Sequence, residues 1–208
     1  MKTKPNAPKS AKAANSSPGL PKNAPGEVRI IGGQWKRSKL SVLSKPGLRP
    51  TPDRVRETLF NWLGQDLTGL TCFDAFAGSG ALGFEAASRG AADVFLIEQD
   101  PALVAKLQAN KLRLNADTMR IQRGDGIATL RSLPKASVDV IFLDPPFDSG
   151  LYLEAIEAAA GAICAQGAIY LEAPETWDDE KLAALGLRVI KHGKAGAVHF
   201  HLLSLHVA

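Results

Sequence analysis

Strand and helix signals alternate along the chain from residue 70 to its end, and this alternation limits the possible folds more than any other feature. Short apolar runs are separated by longer stretches in which apolar residues recur at helical spacing. Such a repeat predicts an α/β layer fold with a mostly parallel sheet. The predicted strands are 72–76, 94–98, 120–123, 138–143, 168–172, 188–192 and 198–205, and the predicted helices are 81–89, 101–114, 127–133, 151–160 and 178–185.

The last two predicted strands depart from this repeat. Only a short segment that contains Gly193 and Gly196 separates them, and it leaves no room for a helix. Strands joined this closely pair antiparallel, so we expect a seven-stranded, mostly parallel sheet with an antiparallel last strand.

Positive charge is concentrated at the N-terminal end of the chain. Residues 1–56 carry a net charge of +11 and residues 57–208 carry −7, which together give the +4 of the whole chain. This asymmetry predicts a polyanionic partner at one end of the protein. For residues 1–26, which have almost no large apolar side chains and predict a disordered arm, a solubilising tail is an equally good explanation.

The 208 residues suffice for one domain with a sizeable core. No apolar run is long enough to span a bilayer, and the basic N-terminus lacks the apolar stretch of a secretory signal. The two cysteines, Cys72 and Cys164, form neither a disulfide framework nor a zinc pattern. We therefore expect a cytoplasmic protein that does not bind membranes.

A basic hairpin is predicted just after the arm. Two short strands, 28–31 and 40–43, flank a turn that contains Gly32 and Gly33. Thr51 is then predicted to cap the N-terminus of a helix that ends before Gly64. Arg54 and Arg56 lie in the first turn of this helix, where cations are unfavourable, so they indicate either an anionic contact or a solvated face.

A glycine-rich loop follows the first strand of the βα repeat. Gly78, Gly80 and Gly83 form the pattern G-x-G-x-x-G at the start of a helix, which lets a ligand approach the backbone closely. Glu98 lies 20 residues after Gly78, at the end of the next strand, where a carboxylate can accept hydrogen bonds from ribose hydroxyls. These features fit NAD(P) as well as S-adenosylmethionine.

Two carboxylates favour S-adenosylmethionine. Asp74 ends the strand before the loop, where it would repel a pyrophosphate and attract an ammonium or a sulfonium. Asp125 lies between two glycines after the third strand and could accept a hydrogen bond from an adenine amino group, although a plain turn residue is the alternative. The residues we assign to the cofactor site are Asp74, Phe76, Ala77, Gly78, Gly80, Glu98, Gln99, Gly124, Asp125 and Gly126.

The sequence Asp144-Pro145-Pro146-Phe147 follows the buried strand 138–143 and suits the methylation of an amine. The prolines lack N–H groups and keep the segment extended, so the Asp144 carboxylate and nearby carbonyl groups can accept both hydrogens of an –NH2 group. Phe147 offers a face on which a base can stack. We expect an ordinary carboxylate pKa of about 3.9 to suffice for Asp144, because a methylated arylamine loses its proton easily. A strand-ending turn is the structural alternative.

Several sequence segments together resemble the RsmD family of bacterial 16S rRNA (guanine-N2)-methyltransferases, a class I S-adenosylmethionine-dependent group. They are RIIGG at 29–33, RPT at 49–51, DRVRE at 53–57, LFN at 59–61, DAFAGSG at 74–80 and DPPF at 144–147. The resemblance covers residues 28–208. It implies a Rossmann-like fold of seven strands, with a basic hairpin at about 28–50 and a catalytic core at 51–208.

The resemblance also implies the ligands. S-adenosylmethionine would bind at the glycine loop, at Glu98 and at Asp125, and the segment from Asp144 to Phe147 would hold a guanine amine, with no metal required. The partner would be 16S rRNA in an assembling or assembled small subunit, and we expect a monomer. The predicted RNA contacts are Arg29, Trp35, Lys36, Arg37, Lys39, Arg49, Arg54 and Arg56.

Three other functions are compatible with parts of this pattern. A DNA amino-methyltransferase acting on adenine N6 or cytosine N4 would use the same DPPF segment, although this chain has no extra mass for reading a duplex. An NAD(P)-dependent oxidoreductase would explain the glycines and leave DPPF without a role. A non-catalytic RNA-binding module would explain only the basic front.

Overall fold

The computed structural model describes residues 26–45, 48, 50–147 and 149–206, in which nine strands alternate with six helices. The predicted disordered arm lies outside these residues except for Gly26, which begins the first strand. The strands are β1 Gly26–Arg29, β2 Lys39–Val42, β3 Thr71–Asp74, β4 Asp93–Glu98, β5 Met119–Arg123, β6 Val138–Leu143, β7 Ile163–Ala173, β8 Leu187–Ala195 and β9 Val198–Leu205. The helices are α1 Asp53–Trp62, α2 Ala81–Ser88, α3 Pro101–Leu114, α4 Gly126–Ser132, α5 Tyr152–Ala162 and α6 Asp179–Ala183.

Strands β3 to β9 form one sheet in the order β5-β4-β3-β6-β7-β9-β8, while β1 and β2 pair as a separate antiparallel hairpin. The first five strands of the sheet are parallel, and β9 pairs antiparallel with both β7 and β8. The predicted fold class is therefore confirmed. The chain leaves β3 towards one edge of the sheet and later returns to β6 on its other side. In open α/β sheets, ligands bind in the crevice that this reversal creates at the carboxyl ends of the strands.

Apolar side chains cover both faces of the sheet. One face packs against α1, α2 and α3 through buried residues such as Phe60, Phe84 and Leu107, and the opposite face packs against α4, α5 and α6. Burial of each large side chain such as Phe142, which is fully buried at the centre, stabilises the fold by about 1.5–3 kcal/mol. Within the described residues, no helix combines the length and the apolar character needed to cross a membrane.

Local sequence signals set several helix boundaries. Asp100 caps α3 by accepting hydrogen bonds from the N–H groups of Ala102 and Leu103, and Asn115 ends this helix in the left-handed conformation. The predicted cap at Thr51 is wrong. Pro52 precedes the first helical residue, no side chain caps α1, and the Thr51 hydroxyl instead hydrogen bonds with the Glu172 carboxylate. A tertiary partner here replaces the local capping interaction.

Candidate active site

The carboxyl ends of β3, β4 and β6 bring three of the predicted acidic residues to one edge of the sheet. Asp74 ends β3, Glu98 ends β4, and Asp144 directly follows β6. The edge lies where the strand order reverses, between β3 and β6. The fold therefore places the predicted cofactor residues and the predicted catalytic segment beside one crevice.

The loop between β3 and α2 requires glycine at specific positions. Gly78 and Gly80 have φ angles of +50° and +78°, a left-handed conformation that glycine adopts without strain. A Cβ atom on Gly80 would lie 2.5 Å from Leu107 Cδ2, and one on Gly83 would lie 2.6 Å from Leu96 Cδ1. Gly80 thus shapes the loop, while Gly83 lets α2 pack closely against β4.

The Glu98 carboxylate is held in place by backbone groups of two loops. Its Oε2 atom accepts a hydrogen bond from the Gly78 N–H at 2.8 Å, and its Oε1 atom accepts one from the Asp100 N–H at 2.8 Å. Each carboxylate oxygen retains a further lone pair. Glu98 can therefore still accept hydrogen bonds from a pair of hydroxyl groups.

Asp125 has a structural role that the sequence left open. Its Oδ1 atom accepts a hydrogen bond from the Ala128 N–H at 2.9 Å and so caps α4, while its Oδ2 atom lies 3.4 Å from Gln99 Nε2. A Cβ atom on Gly126 would lie 1.9 Å from the Ala75 carbonyl oxygen, so α4 begins directly against the glycine loop. A cavity of about 530 Å³ opens here, and its lining includes Phe73, Phe95, Ile97, Gln122, Gly124 and Asp125.

Asp74 is 2% exposed, and its carboxylate accepts hydrogen bonds from the backbone N–H groups of Phe76 and Gly83. Burial raises the pKa of Asp74 to about 7, and the negative charge of Glu98 adds to this effect. Hydrogen bonds to the carboxylate oppose the shift only in part. A cationic ligand beside Asp74 would stabilise its charged form.

The segment from Asp144 to Pro146 follows β6 outside any helix or strand, and Phe147 lies in a turn in which the Ser149 N–H donates to the Pro146 carbonyl at 3.0 Å. Pro145 is buried, Pro146 is exposed and 43% of the Phe147 surface is exposed. The Phe147 carbonyl accepts a hydrogen bond from the Tyr152 hydroxyl at 3.2 Å, which anchors the segment to α5. The half-buried Asp144 carboxylate accepts no hydrogen bond from any described residue, so its oxygens are available to a ligand.

Sequence reasoning missed a fourth carboxylate, on Glu172. The register of β6 against β7 places Glu172 next to Asp144, and Glu172 is only 6% exposed. The Tyr170 hydroxyl donates to Glu172 Oε1 at 2.9 Å. The signal that could have revealed Glu172 is a single acidic residue in the otherwise apolar strand Ala168–Ala173, since such a charge is seldom buried without a purpose.

The carboxylate of Glu172 affects the pKa of Asp144. Burial raises the pKa of Asp144 well above its ordinary value, and the negative charges of Glu172 and Asp74 raise it further. Burial also raises the pKa of Glu172. The pKa of Asp144 therefore lies above the ordinary value that the sequence analysis treated as sufficient, because two neighbouring acids that the sequence did not reveal share its surroundings.

One predicted RNA contact is buried in the core. Arg56 is 0% exposed, and its guanidinium forms ion pairs with Glu85 at 3.1 Å and with Asp53 at 2.6 Å. It also donates to the backbone carbonyl groups of Thr51 and Arg29. The prediction for Arg56 is therefore wrong, because its anionic partners are within the protein.

The other predicted RNA contacts form four groups. Arg29 and Lys39 are exposed and pair with Asp53 and Glu27 at 3.3 and 2.7 Å. Trp35 is half-buried and packs against the core. Arg49 lies outside the described residues. Lys36, Arg37 and Arg54 are exposed and form no ion pair with a described residue.

The chain that follows the hairpin crosses the glycine loop. Lys45 forms an ion pair with Asp100, and Leu48 Cδ1 lies 3.0 Å from the position of a Cβ atom on Gly78. Neither residue was predicted to lie at the site. These contacts connect the basic front of the molecule to the loop that is predicted to bind the cofactor.

Comparison with known proteins agrees with this geometry. Residues 28–204 match the family described as Conserved hypothetical protein 95. The chain is 46% identical to Ribosomal RNA small subunit methyltransferase D of Escherichia coli (strain K12) over 149 residues, which are 71% of this chain and 75% of the relative. The protein of the same name from Haemophilus influenzae is 45% identical over 64% of this chain and 71% of its own length.

A solved structure is similar over most of the fold. The Escherichia coli protein yhhF, described as a methyltransferase, superposes with a TM-score of 0.75 at 39% sequence identity. The match covers 88% of this chain and all of the other chain.

Proposed function

The chain belongs to the RsmD family, and on that premise we propose that it transfers a methyl group from S-adenosylmethionine to the N2 amine of a guanine in 16S rRNA. The names of the relatives support the coarser statement that it is an rRNA methyltransferase. The observation that carries the finer proposal is the Asp144 carboxylate, which accepts no hydrogen bond from the described part of the chain and lies where the strand order of the sheet reverses.

The residues of the crevice fit S-adenosylmethionine. The Asp74 carboxylate is buried beside the loop, where it would hold the cationic amino acid portion. Glu98 keeps a free lone pair on each oxygen for the ribose hydroxyls. Asp125, whose carboxylate lies 3.4 Å from Gln99 Nε2, lines a cavity that could take the adenine. When bound, S-adenosylmethionine supplies a methyl group that its sulfonium already activates.

The proposed role of Asp144 is to orient the amine. Its carboxylate and the Pro145 carbonyl would each accept one amine hydrogen, which turns the nitrogen lone pair out of the plane of the base. Phe147, being partly exposed, would stack on a guanine that has swung out of its helix. Correct placement of this kind can supply about 7–11 kcal/mol of the activation barrier.

The neighbouring acids are proposed to receive the proton. As the N–C bond to the methyl group would form, the bond between that methyl group and the sulfonium sulfur would break and leave its electron pair on sulfur. The amine nitrogen would then be positive, and loss of its proton to the Asp144 carboxylate would restore its neutrality. Glu172 supports this step, because its negative charge raises the pKa of Asp144 and makes it a better acceptor. The Tyr170 hydroxyl holds Glu172 in place through the hydrogen bond at 2.9 Å.

Nucleoside analysis tests the substrate. Small-subunit rRNA, free and in particles, is incubated with the protein and labelled S-adenosylmethionine, and the digested nucleosides are analysed by mass spectrometry. We expect N2-methylguanosine. A methyl group on adenine N6 or cytosine N4 would overturn the guanine assignment and leave the amine chemistry standing, whereas a methyl group on ribose would overturn both.

Calorimetry across a pH range tests the cofactor. We expect S-adenosylmethionine to bind more tightly as the pH rises through about 7, where Asp74 loses its proton and becomes able to hold a cation. Asp74→Asn should bind weakly at every pH and lose this dependence. Tight binding of NAD together with no binding of S-adenosylmethionine would overturn the proposal.

A further inference from the structure

A second groove opens between α1 and the β8–β9 hairpin, on the sheet face that also carries Glu172. Its volume is about 460 Å³. The residues that matter here are Arg54, Thr58 and Trp62 of α1 and Gly193, Lys194 and Phe200 of the hairpin. Neither the cofactor residues nor the segment from Asp144 to Phe147 line this groove.

Sheet register connects this groove to the catalytic position. The pairing of β6 with β7 ends at Leu143 and Leu171, so Asp144 and Glu172 are the next residues along the two strands, and their charges interact. Glu172 pairs with Phe200 of β9, and Phe200 pairs with Gly193 of β8. The four residues form one row across the sheet, and with neighbouring strands about 4.8 Å apart, Phe200 lies about 10 Å from Asp144 along that row. The groove is thus within a nucleotide or two of the target base.

The wall of the groove is aromatic. The Phe200 ring lies over Gly193, where a Cβ atom would come within 2.3 Å of the ring. The Phe200 ring also stacks against Trp62, with the ring centroids 5.4 Å apart and an interplanar angle of 29°. Trp62 is half-buried, so part of its indole remains open to the groove. Aromatic surfaces of this kind accept bases of any sequence.

The charge of the groove is opposite to that of the active site. Arg54 and Lys194 are exposed and form no ion pair with any described residue. No acidic residue within the described part of the chain lines the groove. The cations can pair with a phosphate while the aromatic wall stacks on its base. The same cations would repel a positively charged surface of another protein.

We propose that this groove binds the nucleotide next to the target guanine, with the phosphate at Arg54 and Lys194 and the base against Trp62. This inference rests on the proposed function. The acidic active site repels the RNA backbone, and a cationic groove two strands away in the same row would hold the RNA strand while the guanine reaches Asp144.

Kinetics of matched double variants test the proposal. Arg54→Ala with Lys194→Ala removes both cations of the groove, while Lys135→Ala with Arg188→Ala removes two exposed cations near the amino ends of β6 and β8, at the opposite edge of the sheet. We expect the groove variant to raise the KM for RNA about tenfold or more and to leave kcat within about twofold. The slope of log affinity against log salt should fall by about 1.4–1.8 for the two contacts.

The control variant should retain the wild-type KM and salt slope. Equal KM values for the two double variants, with normal wild-type activity, would overturn the groove and leave the proposed function intact. Absence of methyl transfer to rRNA by the wild-type protein would instead overturn the proposed function. Calorimetry with S-adenosylmethionine shows that each variant is folded.

Photocrosslinking identifies the occupant. A short photoreactive group is attached at Thr58→Cys in a Cys164→Ser background, since Cys72 is fully buried and unreactive. In small-subunit particles we expect a crosslink within a nucleotide or two of the methylated guanine. A crosslink to a ribosomal protein, or to rRNA far from that guanine, would overturn the proposal.

Discussion

Two groups of buried acids in this protein have opposite surroundings. Glu85, which is 0% exposed, accepts hydrogen bonds from Arg56, Arg89 and the Ile31 N–H, so every part of its carboxylate has a donor. Asp144 has no donor within the described residues and lies beside the buried Glu172. A buried charge that has hydrogen-bond and ion-pair partners within the protein supports the fold. A charge that lacks such partners is costly to keep away from water, so a ligand that supplies them can bind there.

The hydrogen bonds of Glu85 also explain how the β1–β2 hairpin is attached to α1 and α2. Glu85 links the Ile31 backbone of the hairpin end to α1 through Arg56, and Ser88 accepts and donates hydrogen bonds in the same turn. A Cβ atom on Gly33 would lie 1.8 Å from the Ser88 carbonyl oxygen, so the turn fits α2 only with glycine. The family sequence DRVRE therefore contains a structural arginine as well as an exposed one.

The largest expected effect is on stability at Glu85. Glu85→Gln keeps the shape of the side chain but removes the carboxylate that pairs with Arg89 and one of the two that pair with the buried Arg56, so the free energy of unfolding should fall by about 3–5 kcal/mol. Urea denaturation measures this change. Glu57→Gln, at an exposed position of α1, is the control and should change stability by less than about 0.5 kcal/mol. Similar stabilities for the two variants would show that the buried Glu85 carboxylate contributes no more to the fold than an exposed one.

The same kind of substitution at Asp144 should act on catalysis instead. Asp144→Asn removes a charge that no described residue pairs with, so the free energy of unfolding should stay the same or rise. The kcat for methyl transfer should fall about a hundredfold or more, and affinity for S-adenosylmethionine should be nearly unchanged. If Asp144→Asn were destabilised as much as Glu85→Gln and kept its activity, Asp144 would support the fold and not catalysis.

A smaller effect is expected on the pH dependence through Glu172. Activity requires the charged form of Asp144, so kcat/KM should rise with pH through the raised pKa of Asp144. Glu172→Gln removes the neighbouring negative charge, so the pKa of Asp144 should fall and the pH of half-maximal kcat/KM should move down. Tyr170→Phe keeps that charge and should move the profile less. A profile that is identical in Glu172→Gln and wild type would show that the two acids do not interact.

The smallest effect is expected at the tip of the hairpin. Lys36 and Arg37 are exposed and form no ion pair with a described residue, so they are the hairpin cations most available to RNA. Neutralising both should lower the salt slope of RNA affinity by about 1.4–1.8 and leave the cofactor affinity unchanged. Lys39, which pairs with Glu27, serves as the comparison, and Lys39→Ala should have less effect per charge. If neutralising each of the three positions lowered the salt slope equally, an existing ion pair within the protein would not prevent a cation from contacting RNA.

The sequence by itself determined the fold class and the position of the reactive segment. Periodicities of two and 3.6 residues are local properties, so the βα alternation, the start of α3 at Pro101 and the strand before Asp144 were all predictable. The left-handed glycines at 78 and 80 were equally evident, because a turn from strand to helix beside a ligand requires them. These features need no knowledge of distant parts of the chain.

Only the tertiary structure decided which charges are paired. Arg56 and Glu85 are 29 residues apart in sequence, and Asp144 and Glu172 are 28 apart, so no local pattern brings either pair together. Helix packing buried Arg56 with its counterion, and the register of β6 against β7 placed Glu172 beside Asp144. The pKa of an acid depends on burial and on charges a few ångströms away, and such proximity is set by the folded arrangement of the elements.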